Sequence, residues 1–144
     1  MLPVFRGYWL IFGSLILVVL AVLLSRDDPL FESLSYILTI TFLILNLRFV
    51  EFRIILIGVS MNAIVIWANG GLMPVSVLHS TVHWHGTLTR KTIFPFLSDI
   101  IYLRYPVRAE ISSGDIFIWS GAFILVQRLM GRPVSLAKLA GSKK

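Results

Sequence analysis

The chain has no cysteine in its 144 residues. This excludes disulfides, thiolate metal ligands and a cysteine nucleophile. Charge is also scarce. Only 14% of residues are Asp, Glu, Lys or Arg, and no Asp, Lys, Arg or His falls near the middle of a long apolar run. Proton relays and ion pumps place such groups at depth, so that class is disfavoured. There is no nucleotide-binding glycine loop and no nucleophile–base constellation. What remains is apolar: 57% hydrophobic residues and a mean hydropathy of +0.87. Soluble domains are nearer half apolar and a quarter charged.

A bilayer core about 30 Å thick needs about 20 apolar residues per helix, so the length leaves room for about four spans and short connections. The sequence therefore predicts an all-α membrane protein in a single domain, residues 1–144. Its four transmembrane helices are expected at about 8–24, 29–47, 52–68 and 115–130. The connection 69–114 is expected to face outward as a short interfacial helix and a loop-rich cap, and 131–144 forms a basic cytoplasmic tail. Asp28 and Pro29 suit the start of the second helix. Asn69-Gly70-Gly71-Leu72-Met73-Pro74 is a strong stop for the third, because Asn and Gly tolerate the left-handed conformation and proline does not continue a helix. Ser112 followed by Asp115 fits a capping box at the fourth, which Gly131 and Pro133 would end.

Four spans divide the charges unevenly. Arg6, Arg48, Arg53, Arg128, Arg132, Lys138, Lys143 and Lys144, with Glu51, fall on one side, eight positive to one negative; the other side carries five positive and six negative. The positive-inside rule then places both termini in the cytoplasm. The formal net charge of +6 needs no nucleic acid to explain it; the basic tail suits anionic headgroups.

Three stretches occur in order: Asn62 to Ser76, containing the Asn69–Ser76 run; Phe94-Pro95-Phe96-Leu97-Ser98-Asp99-Ile100-Ile101; and Ser113-Gly114-Asp115-Ile116. Together they resemble a family of small uncharacterised bacterial multi-span membrane proteins with an Asn-Gly-Gly-x-Met-Pro-Val-Ser signature and a Pro-Phe-Leu-x-Asp-Ile block. The resemblance implies a multi-pass protein of the bacterial cytoplasmic (inner) membrane and no assigned activity. The histidine-rich stretch after Ser76 departs from that pattern.

That stretch is the first candidate for chemistry. Ser76 can cap a helix from Val77 to His85, placing His79 and His83 on one face as a metal or haem-like ligand pair, with His85 joining only if the helix ended early. An amphipathic interfacial helix explains the same residues without a ligand. The second candidate is the pair Asp99 and Asp115, which could meet if the intervening loop folds back and then perform acid–base work or hold a cation. Helix-terminus and turn roles explain each singly. Asn62, with Gly58 and Ser60, suits close packing and a hydrogen bond between helices.

The function expected from the sequence is an integral inner-membrane accessory or interaction subunit of a complex, not an enzyme. Its surface for a ligand or partner would be Asn69, Gly70, Gly71, Pro74, Trp84, Asp99 and Asp115. Membrane lipids and a protein partner or second copy are the expected contacts. No cofactor is required. The alternatives are a cofactor- or metal-binding subunit using His79, His83 and His85, and an outer-interface enzyme or small-ligand receptor using Asp99 and Asp115.

Overall fold

The structure, a computed structural model, describes residues 5–23, 29–76, 85–105 and 109–131. Asp28, Val77 to Trp84, Arg108 and the basic tail lie outside the described residues, as do the side chains of Pro29 and His85. The expected interfacial helix therefore falls almost wholly outside them.

Four helices form close to where hydropathy puts them: α1 (Tyr8–Leu23), α2 (Pro29–Leu45), α3 (Val50–Ala68) and α4 (Ser113–Leu129). Their membrane assignment does not hold. α1, α2 and α4 have 16, 17 and 17 residues, about 24–26 Å at about 1.5 Å per residue, short of the bilayer core. Among the described residues only Val50–Ala68, with 19, is long and apolar enough to cross a membrane. This overturns the four-span, multi-pass assignment. The multi-pass inner-membrane localisation falls with it, as does the cytoplasmic placement of both termini, which rested on an even number of crossings.

The described part of the connection holds short strands that the sequence reading did not expect. Among the described residues there are four, of three residues each: β1 (Met73–Val75), β2 (His85–Thr87), β3 (Ile101–Leu103) and β4 (Ala109–Ile111). β1 and β2 pair in parallel with Met73 opposite His85, and β3 and β4 pair antiparallel with Tyr102 opposite Glu110. His85 thus begins a strand where the sequence predicted the end of a helix.

Aromatic side chains close one end of the bundle. Phe5, Phe42, Phe49 and Phe52 meet edge to face at centroid separations of 5.2–5.7 Å, the geometry that the ring quadrupole favours. Beside them the buried Glu51 receives Arg128: Arg128 Nη2 donates to Oε2 at 3.1 Å, and Nε lies 2.5 Å from Oε1. A buried carboxylate needs such a partner, and the pair ties the first turn of α3 to the last of α4.

α3 and α4 approach through glycine. A Cβ on Gly58 would strike the Gly114 carbonyl oxygen and lie 2.8 Å from Ile118 Cγ1; one on Gly121 would lie 2.8 Å from the Glu51 carbonyl oxygen. α1 is held to α2 by hydroxyls, with Ser14 Oγ 2.8 Å from both Ser35 Oγ and Thr39 Oγ1. Helices packed in apolar surroundings use both devices. Around this bundle the outer faces stay apolar and exposed, including Trp9, Phe12 and Leu15 on α1, Ile37 and Ile44 on α2, and Trp119 and Phe123 on α4.

Candidate functional site

α3 ends by glycine chemistry and delivers the chain to the cap. Gly70 and Gly71 take φ of +77° and +88°, and Gly71 N–H donates to the Ile66 carbonyl at 2.9 Å, the bond of a Schellman stop. Asn69 acts differently from the sequence expectation. Its φ is −109°, outside the left-handed region, and its side chain does the work. Nδ2 donates to the Val65 carbonyl at 2.7 Å and to the Ile93 carbonyl at 2.9 Å, while Oδ1 accepts from Ile93 N–H at 2.9 Å. The amide thus pairs with Ile93 as a strand neighbour would. Asn46, at the end of α2, repeats the device: Nδ2 donates to the Phe42 and Arg6 carbonyls and Oδ1 accepts from Arg6 N–H. Neither clamp is visible in sequence, because the clamped residue lies 24 or 40 positions away.

β1 forms the middle of the cap. Asp99 runs alongside Val75 as an isolated parallel bridge, its N–H donating to the Pro74 carbonyl at 3.0 Å and its carbonyl accepting from Ser76 N–H at 3.2 Å. Pro74 can occupy a strand here because its carbonyl is the group used. Met73 packs on Val65 and Ile66 of α3, with Leu97 and Tyr36 against them. This seats Asp99 in a closed place, with only 6% of its surface exposed.

A polar centre lies where the cap meets the helices. Ser112 and Asp115 form the expected capping box: Ser112 Oγ accepts from Asp115 N–H at 3.1 Å, and Ser112 N–H donates to Asp115 Oδ2 at 2.9 Å. Asn62 of α3 joins it, its Nδ2 donating to Asp115 Oδ1 at 2.9 Å, with Ser112 Oγ 2.9 Å from Asn62 Oδ1. The interhelical role expected of Asn62 is therefore present, and its partner is the cap of α4.

Asp99 lies within electrostatic reach of that network. Burial first, then the charges of Asp115 and Glu110, push its carboxyl up to about 7. Tyr36 of α2 is within electrostatic reach of both Asp99 and Asp115. The side chains of Ser98, Ser113 and Glu110 each keep a buried oxygen without a hydrogen bond among the described residues. Such a centre can hold or release a proton near neutral pH beside a fixed carboxylate.

Of the residues singled out from sequence, Pro74 and Asp99 are joined by a backbone hydrogen bond and Asp99 lies within electrostatic reach of Asp115, while Asn69, Gly70 and Gly71 form the stop of α3. His79, His83 and Trp84 lie outside the described residues, and of His85 only the backbone is described. Among the described residues no group of three or more His, Cys, Asp or Glu could hold a metal ion. Missing from the sequence reading were Asn62 as a partner of Asp115, and Glu51 with Arg128. Neither left a signal in sequence, because the pairs lie 53 and 77 positions apart.

A family model described as a family of unknown function, DUF5317, matches residues 3–127. The chain belongs to that family. Its match extends well beyond the three stretches that suggested a family resemblance, reaching back into α1 and covering most of α4. No curated protein and no solved structure matches the chain. The helices, clamps and buried centre of this DUF5317 chain thus supply the physical basis for a functional reading.

Proposed function

We propose that the protein is a membrane-associated interaction protein, an accessory subunit and not an enzyme, with α3 set in lipid. The observation that carries this is the exposed apolar surface of the helices beside the apolar length of Val50–Ala68. Monomeric soluble proteins rarely expose contiguous apolar patches beyond a few hundred Å². Glycine-mediated helix approach and hydroxyl pairs between helices suit the same surroundings. The test is alkaline carbonate washing of membranes from cells expressing the chain, followed by sizing in mild detergent. The chain is expected to stay with the membranes and to migrate in an assembly larger than one chain. Release by carbonate would overturn the membrane placement, and a lone monomer would overturn the subunit role.

A second reading has one observation in its favour. A carboxyl raised to about 7 by burial is the kind of group that exchanges protons at neutral pH, so Asp99 and Asp115 could serve a small ligand or a reaction at the membrane interface.

A further inference from the structure

The segment from Thr89 to Leu97 is built to hold apolar side chains outward. Thr92 N–H donates to the Thr89 carbonyl at 3.1 Å, and Thr89 N–H to Thr92 Oγ1 at 2.9 Å, closing a turn with Arg90 and Lys91 exposed at its tip. The Asn69 clamp then fixes Ile93 by both backbone groups to the end of α3. Phe94 follows with φ 55° and ψ 54°, the one non-glycine residue in positive φ among the described residues, although the residue before a proline ordinarily prefers extended backbone. Pro95–Leu97 forms a single 3₁₀ turn beyond it. The rings of Phe94 and Phe96 stand edge to face at 6.2 Å, and Ile93, Phe94 and Phe96 remain 49%, 42% and 64% exposed. Strain, a two-point clamp and a proline are thus used to display apolar groups that a folding chain would otherwise bury. Strain of this kind points to a purpose outside the fold.

Position decides what they meet. The clamp puts Ile93 level with the last turn of α3, where the half-exposed Trp67 also lies. If α3 lies in lipid, this is the height of the interface, where aromatic rings settle at the headgroup level and cations meet phosphate. We propose that Ile93, Phe94 and Phe96 form a wedge seated at the headgroup–acyl boundary of an anionic leaflet, with Arg90 and Lys91 against the lipid phosphates. The wedge rests on the membrane-associated reading of α3.

The absence of cysteine makes the test clean. Phe96→Cys carries a single polarity-sensitive fluorophore, and the protein is reconstituted in vesicles of one part phosphatidylglycerol to two parts phosphatidylcholine. Ile93→Cys serves equally, since Asn69 holds only the backbone of that residue. The label is expected to shift to the blue, to be quenched by a lipid-borne nitroxide near the headgroups, and to lose several-fold of its quenching by aqueous iodide. Full iodide quenching in protein that floats with the vesicles overturns the wedge and leaves the membrane reading standing. Shielding from both quenchers also overturns it, in favour of a protein contact. Failure to float with the vesicles overturns both.

Discussion

At the scale of single residues, asparagine and aspartate do most of the organising. Asn46, Asn62 and Asn69 each join parts of the chain far apart in sequence: to Arg6, to Asp115 and to Ile93. The type of residue was informative, since an amide in an apolar helix must find partners, and for Asn62 this gave the interhelical role. For Asn69 the strong signal of the two following glycines hid the side-chain role behind a backbone one. Asp99 yields a pH prediction. Its folded carboxyl, near 7, sits above the usual range, so the folded protein holds a proton that the unfolded chain releases. Its contribution to stability therefore falls as pH rises from about 4 to about 7. Asp115, Glu110 and Tyr36 are the titratable groups facing it. Asp99→Asn, which keeps the shape of the neutral carboxyl, is expected to flatten that slope and to raise the thermal midpoint above pH 7. Midpoints measured in detergent across this range check it; an unchanged slope sinks the assignment.

At the scale of elements, helix positions were legible and strands were not. Long apolar runs fix helices by length, whereas β1 to β4 have three residues each, too few for an alternating pattern to register. β1 also pairs with β2 in parallel and with the Asp99 segment, contacts that depend on where α3 delivers the chain. Glycine spacing was half legible: Gly58 stood out, but Gly114 and Gly121 gain meaning only once α4 lies against α3. A Cβ on Gly114 would collide with the Asn62 amide oxygen and lie 2.7 Å from the Gly58 carbonyl oxygen. Both are rigid, one backbone and one locked by hydrogen bonds, so the helices would have to separate. Gly114→Ala is expected to destabilise by about 1–3 kcal/mol or more, the range for overpacking. Gly70→Ala, where no atom lies within 4 Å of the added Cβ but φ is +77°, is expected to cost about 1 kcal/mol through backbone strain alone. Denaturant midpoints of the two variants compare the mechanisms; equal losses would mean that the α3–α4 contact is looser than the geometry requires.

At the scale of the whole molecule, hydropathy located the four α-helices of the described residues and overcounted those long enough to cross a membrane. An apolar run of 16 or 17 residues and one of 19 look alike in composition, yet the difference of about 3–4.5 Å in length decides whether a helix reaches across lipid. The helices also differ in how firmly they are joined. α3 and α4 share the glycine contacts, the Glu51–Arg128 pair and the Asn62–Ser112–Asp115 network. α1 has the Ser14 hydroxyls, the Asn46 clamp on Arg6 and a largely exposed outer face. Local opening follows such differences, because each segment opens at the cost of its own contacts. Amide hydrogen exchange in detergent is therefore expected to release α1 before α3 and α4. Asn46→Ala removes the amide that satisfies Arg6 N–H and its carbonyl, a loss of about 1–3 kcal/mol. It should speed exchange across α1 by about fivefold to a hundredfold, since about 1.4 kcal/mol is a factor of ten in an opening equilibrium. The amides of α4 should be unmoved, since nothing in the α3–α4 contact involves Asn46. Acceleration spread evenly over all four helices would instead mean that the bundle opens as one unit, with Asn46 acting through the shared aromatic end around Phe42 and Phe52.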